Sequence, residues 1–196
     1  MGQSVGFARK VENDPWHRML PGLGTVTVRT LSLADWDAYR TFAERIECND
    51  MRLRFAGPVK LDASRCRRFL DIDHDREEAF AAFDGEGAML GVARLARTSE
   101  TEGEIALIVR SDLKRRGVGT LLLDRLIRHA DAAGVGVLTG DVLYENLAML
   151  SLARRSGFSF IGNAGLLVAI RMVLDPGMAP PLAPPAAGRW PWAARA

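Results

Sequence analysis

Cysteine, histidine and lysine are all scarce in this chain. Its two cysteines, Cys48 and Cys66, allow one disulfide at most and have no metal-ligand spacing. Three histidines do not make up that shortfall, so no metal site is expected. Thiols used this sparingly suit a reducing compartment. No long hydrophobic run is present either. The most apolar stretch, Leu166 to Leu174, is short and broken by Arg171, far from the roughly 20 apolar residues of a membrane span. The N-terminal sequence MGQSVGFARKVENDPW lacks the apolar core of a signal peptide. These absences point to a cytoplasmic protein with no membrane partner. A large charge excess is missing too: 26 basic against 24 acidic residues leave +2, which argues against a nucleic-acid partner.

What is present fits one globular domain: 196 residues, 48% apolar and 26% charged. Residues 1–24 carry Pro15, Pro21, Gly22 and Gly24 and read as a loosely held arm. Residues 176–196 hold six of the nine prolines, two of the four tryptophans (Trp190 and Trp192) and no acid; they read as a flexible tail. Between them, 25–175 alternates strand and helix patterns. TVTVRTLS reads as a strand, and Ser32 three before Asp35 opens a helix through Trp36, Phe42 and Ile46. Further helices are expected at 49–55 and from Asp62 through Leu70. Strands at 77–83, 88–97 and 104–110 form an antiparallel meander joined by turns at 84–87 and 99–103. A helix at 118–134 follows, its Leu121, Leu122, Leu126, Ile127 and Ala130 at helical spacing and Arg125 and His129 on the opposite, solvated side. A strand (135–143), a helix (146–157) and two strands (158–161 and 166–174) complete the domain.

The chemistry concentrates at VRSDLKRRGVGT, residues 109–120. Arg110, Lys114, Arg115 and Arg116 stand against one acid, Asp112, and Gly117 and Gly119 open a long helix. Glycine lets the backbone approach an anion, and the N–H groups of a first helical turn have no intrahelical acceptor. With the helix dipole these features make an anion site, which implies a phosphate-bearing ligand. A Walker loop is excluded because the lysine precedes the glycines, and a dinucleotide fingerprint because its third glycine falls on Leu122.

Taken with the order of elements, this loop resembles the pyrophosphate loop of the GNAT acyltransferase superfamily, Gln/Arg-x-x-Gly-x-Gly/Ala, here Lys114-Arg-Arg-Gly117-Val-Gly119. Asn146 followed by a helix and Gly157-Phe158 is similar to the family's second signature. The resemblance covers about residues 25–174 and, over 102–158, is strongest to the Pat-type protein lysine acetyltransferases. It implies an α/β fold with a mixed, mostly antiparallel sheet, helices on both faces, and strands splayed at the coenzyme site. It implies acetyl-CoA as acyl donor, contacted by Leu107, Ile108 and Val109 along the pantetheine arm. Lys114, Arg115, Arg116, Gly117, Val118, Gly119 and Thr120 would lie at the pyrophosphate, and Asn146 beside the pantetheine. The acceptor it implies is a primary amine, most naturally a protein lysine and conceivably one on an acyl-CoA synthetase.

Such an acceptor must lose a proton, since a lysine with pKa about 10.4 is almost wholly charged at neutral pH. Glu104, at the start of the strand leading to the loop, matches the superfamily's frequent catalytic glutamate, and Asp141 a second acidic position used by some members. Glu100 and Glu102 are expected in the preceding turn, and His74 near an acceptor site. The tyrosine that many members place seven after the asparagine is Ala153 here, as in Pat-like relatives; the leaving thiolate then lacks its usual acid. Two rival expectations stand beside the lysine acetyltransferase: a small-molecule amine acetyltransferase, and an acyl-CoA-sensing module without turnover.

Overall fold

The structure is a computed structural model that describes residues 15–175 and Gly177. Apart from Gly177, the expected tail, with Trp190 and Trp192, and the first 14 residues of the expected arm lie outside the described residues. Eight strands form one sheet: β1 (Trp16–Leu20), β2 (Gly24–Thr30), β3 (Glu77–Phe83), β4 (Met89–Arg97), β5 (Glu102–Val109), β6 (Val137–Leu143), β7 (Ser159–Ala164) and β8 (Leu167–Val173). Their spatial order is β1-β2-β3-β4-β5-β6-β8-β7. Every neighbouring pair is antiparallel except β5 and β6. Parallel strands need a crossover, supplied here by α4 (Val118–Ala132). The other helices are α1 (Trp36–Glu44), α2 (Cys48–Phe55), α3 (Ala63–Leu70) and α5 (Leu147–Arg155).

Alternation along the strands divides the interior in two. On one face, Val26, Val28, Phe80, Leu95 and Ile105 pack against Leu122, Leu126 and Ala130 of α4 and Leu152 and Ala153 of α5. On the other, Ala79, Ala81, Val92 and Ala106 meet Tyr39 and Phe42 of α1, Met51 of α2 and Phe69 and Leu70 of α3. Helices therefore cover both faces, as the resemblance implied. The Ser32–Asp35 box forms: the Ser32 N–H donates to Asp35 Oδ2 at 2.9 Å. Arg29 grips the same carboxylate through two bonds of 2.9 and 2.6 Å, holding it below the usual carboxylate range against the cost of burial.

Three expectations need correction. Trp16–Leu20, read as part of the arm, is an edge strand paired with β2 from Trp16↔Val28 to Leu20↔Gly24. Glu102, expected in the turn, is the first residue of β5. Arg125 and His129, expected on the solvated side of α4, are each 3% exposed. The reason is the added strand together with β3: the Arg125 guanidinium lies 5.1 Å over the Trp16 ring and 4.5 Å over Phe80. His129 meets Phe80 edge-on at 5.2 Å, and burial, followed by the charge of Arg125, lowers its pKa to about 4.

Candidate active site

The parallel pairing of β5 and β6 runs only through Glu102↔Val137, Gly103↔Leu138 and Glu104↔Thr139. β5 continues to Val109 alongside β4, and β6 to Leu143 alongside β8. Beyond Glu104 the two strands diverge, leaving a cleft. Ile105, Ala106 and Leu107 line it from one strand, Gly140, Asp141 and Val142 from the other. Asn146 and Met149 close one end, and Leu53 and Arg54 of α2 reach in from above. Leu107, Ile108 and Val109 are half-buried along the unpaired edge, an arrangement open to an extended ligand.

Glu104 sits where the divergence begins. Its side chain shares the α2 face with Ala106 and Ile108, since strand residues two apart point the same way. Only 9% exposed, it has its pKa raised to about 8, chiefly by burial and then by the charge of Asp141, with Arg54 acting in the opposite sense. Asp141, half-buried on β6, is raised by burial as well. Arg54 is lowered to about 10 by burial and by Arg94, with Tyr39 and Glu104 opposing. Asp141 and the Arg54 guanidinium thus line the cleft, and Glu104, where the strands begin to part, feels the charge of both. The sequence singled out both acids; it missed Arg54, although residues 49–55 read as helical.

At the far end of β5 the basic loop folds back on itself. Arg110 donates twice to Asp112, at 2.8 Å each. Lys114 Nζ donates to Asp50 Oδ1 of α2 at 2.5 Å. Arg115 and Arg116 remain exposed beside the start of α4, so they supply the local positive field. Arg115 has φ +62° and Gly117 φ +88°. Gly117 is the N-cap of α4 and has no side-chain cap, leaving the N–H groups of Val118, Gly119 and Thr120 directed outward. A Cβ on Gly117 would come within 3.3 Å of Leu20, the last residue of β1. At Gly119 it would meet Leu152 at 3.3 Å and Leu107 at 3.5 Å. Gly117 is therefore set by backbone conformation as well as by packing, and Gly119 by packing.

Asn146 caps α5, its Oδ1 accepting from the Met149 N–H at 3.1 Å. Ala153 is fully buried in the core beneath the sheet, so the position where relatives carry tyrosine is here a packing position. Tyr144 is 56% exposed at the turn after β6. His74 pairs with Glu78 at 3.1 Å and is not among the residues lining the cleft. Among the described residues no group of His, Cys, Asp or Glu could hold a metal ion, and no helix is long and apolar enough to cross a membrane.

A parallel strand pair splayed over an acid-bearing cleft, with a glycine-led helix at one end, is the arrangement that the sequence resemblance implied. The chain belongs to the GNAT acetyltransferase family: the model of the acetyltransferase (GNAT) domain matches residues 25–159. The GNAT domain of S. lividans PAT superposes with a TM-score of 0.76 at 23% identity, over 81% of this chain and 96% of that one. A spermidine N-acetyltransferase from Vibrio cholerae, solved in complex with CoA and spermine, gives 0.63 at 17% identity, over 76% and 95%. In sequence, an L-methionine sulfoximine/L-methionine sulfone acetyltransferase of Pseudomonas aeruginosa is 35% identical over 87 residues, 42% of this chain. The chain spans about half the length of that relative (51%).

Proposed function

We propose that the chain transfers an acetyl group from acetyl-CoA to a primary amine, a protein lysine, with Glu104 as general base. The observation that carries this reading is the divergence of β5 from β6 at Glu104↔Thr139, which leads from a buried carboxyl with pKa raised to about 8 to the uncapped start of α4. The cradle suits the phosphates of coenzyme A: Val118, Gly119 and Thr120 offer N–H donors, and Arg115 and Arg116 offer charge. Leu107, Ile108 and Val109 present unpaired backbone to the pantetheine arm, and Asn146 borders its path. Acetyl-CoA supplies an acetyl group already activated as a thioester.

The protein's task is then to deprotonate and aim the amine. Glu104, ionised as pH approaches 8, accepts a proton from the acceptor ammonium directly or through a water. A carboxylate with the ordinary pKa of about 4.3 would be far too weak a base for that step. Asp141 keeps the Glu104 pKa high through like-charge repulsion. With Ala153 buried, the position seven after Asn146 offers no hydroxyl to the departing thiolate, and direct attack rests on positioning and on the base.

A second reading, a small amine that carries its own carboxylate, is favoured by Arg54 on the cleft wall beside Glu104. A buried guanidinium attracts a carboxylate and disfavours a bare ammonium. The relative from Pseudomonas aeruginosa is named for such acceptors. The discriminating experiment measures thiol release from acetyl-CoA with an acyl-CoA synthetase, a lysine-containing peptide or L-methionine sulfone as acceptor. Release with the first two supports the lysine reading, and release with the sulfone alone supports the second. Binding of acetyl-CoA without release on any acceptor rejects both in favour of a sensor.

A further inference from the structure

Helix α2 is anchored in an unusual way. Of its eight residues only Asp50 and Met51 are buried, and it ends at Ala56 in the left-handed conformation, φ +52°. Met51 and Phe55, the latter with its ring 5.8 Å from that of Phe69, give it a small apolar footing in the core. On the side of the loop its anchor is polar. Asp50, 8% exposed, accepts from Lys114 Nζ at 2.5 Å and from Ser111 Oγ at 2.6 Å. Ser111 Oγ in turn accepts from the Glu47 N–H at 2.9 Å. Ser111 and Lys114 both belong to the short segment that joins β5 to the glycine-led start of α4. A second tether, Arg52 to Glu145 at 2.6 Å, has both side chains 40% exposed and so contributes little.

One buried carboxylate therefore grips, at two points, the segment that would receive the phosphates, and it stands one helical turn from Arg54, which lines the acceptor cleft. We infer that Asp50 is a positioning residue that couples the coenzyme loop to the acceptor wall, with Lys114 serving as a strut to α2 and not as a phosphate ligand. Charge-assisted bonds of this length transmit a shift of the loop to the helix. Among the described residues α2 contributes Met51 and Phe55 to the core, a small footing that leaves its order responsive to the loop. The inference rests on the coenzyme A reading of the loop.

The test uses the full chain and coenzyme A itself, with hydrogen exchange of residues 48–55 as the readout alongside the dissociation constant. In the wild type, coenzyme A should slow exchange across α2 by about tenfold. Asp50→Asn and Lys114→Ala should both reduce that slowing to less than about twofold, while coenzyme affinity stays within about threefold, since neither touches the phosphates directly. Lys114→Arg, which keeps a cation in reach of Asp50, should retain the slowing. With whichever acceptor is acetylated, Asp50→Asn should raise the acceptor KM and leave kcat nearly unchanged.

The inference is overturned if Lys114→Ala alone weakens coenzyme binding by more than about tenfold, the signature of a phosphate ligand. It is overturned too if α2 stays protected in both variants, or if exchange rises throughout β4 and α4 without coenzyme, the mark of general unfolding. A wild-type chain that binds no coenzyme A rejects the loop assignment itself. A wild type that binds it without protecting α2 rejects only the coupling.

Discussion

Glu104 and Thr139 are the last residues to pair across the parallel β5–β6 ladder. The fork opens at a buried carboxyl whose pKa is raised to about 8, the group proposed above as the base. A carboxyl on a fully paired strand would lie under its neighbour, and one farther along would be wet and ordinary in pKa.

That burial destabilises the apoprotein. The folded pKa of about 8 lies above the ordinary value, so between roughly pH 4.5 and 8 the native state binds a proton that the unfolded state has released. Stability from this group is complete below that window and declines as pH rises through it. Glu104→Gln should therefore be more stable than the wild type at pH 8 by about 1–3 kcal/mol, with the gap closing by pH 5. Denaturant melts at the two pH values check this, and equal midpoints at pH 8 would refute the burial argument.

His129 works in the opposite direction. Its folded pKa of about 4 lies below the ordinary 6.5, so as pH falls from 6.5 towards 4 the unfolded state gains a proton first. Stability present above pH 6.5 should fall by up to about 1.4 kcal/mol per pH unit in that window. NMR titration of the His129 ring reads the pKa directly, and a value near 6.5 would contradict its placement against Phe80 and Arg125.

Gly117→Ala should weaken coenzyme A binding about tenfold, because alanine disfavours φ +88° and its Cβ crowds Leu20. Calorimetric titration measures this. Gly119→Ala should act through packing on Leu152 and Leu107, lowering the melting temperature as well as the affinity.

Restoring the tyrosine common in the family should fail here. Ala153 has no exposed surface and packs in the core beneath the sheet, so Ala153→Tyr should destabilise the fold by about 1–3 kcal/mol or more through overpacking. Thermal unfolding beside the acetyl-transfer rate checks it. A stable variant with a raised kcat would mean that the cleft admits the hydroxyl after all.

The loop at 109–120 was legible because its signals are local: glycines, neighbouring charges and a following amphipathic helix all fall within one stretch of chain. Glu104 and Asp141 came from the family pattern, but the divergence that gives Glu104 its altered pKa is a matter of register between strands far apart in sequence. Asp50 and Arg54 lie on a stretch read correctly as helix, and no local feature says that this helix leans over the cleft. Trp16–Leu20 escaped notice because an edge strand with its middle residues exposed, HRM, has no apolar alternation. Missing it also concealed why Arg125 and His129 are covered.

The pH–rate profile of acetyl transfer, wild type against Glu104→Gln, tests the central claim most directly. The account predicts that wild-type kcat/KM rises with unit slope to a plateau above about pH 8. The variant should be slower by about 10²–10⁴-fold and lack that rise. A Glu104→Gln enzyme with full activity and an unchanged profile would contradict it.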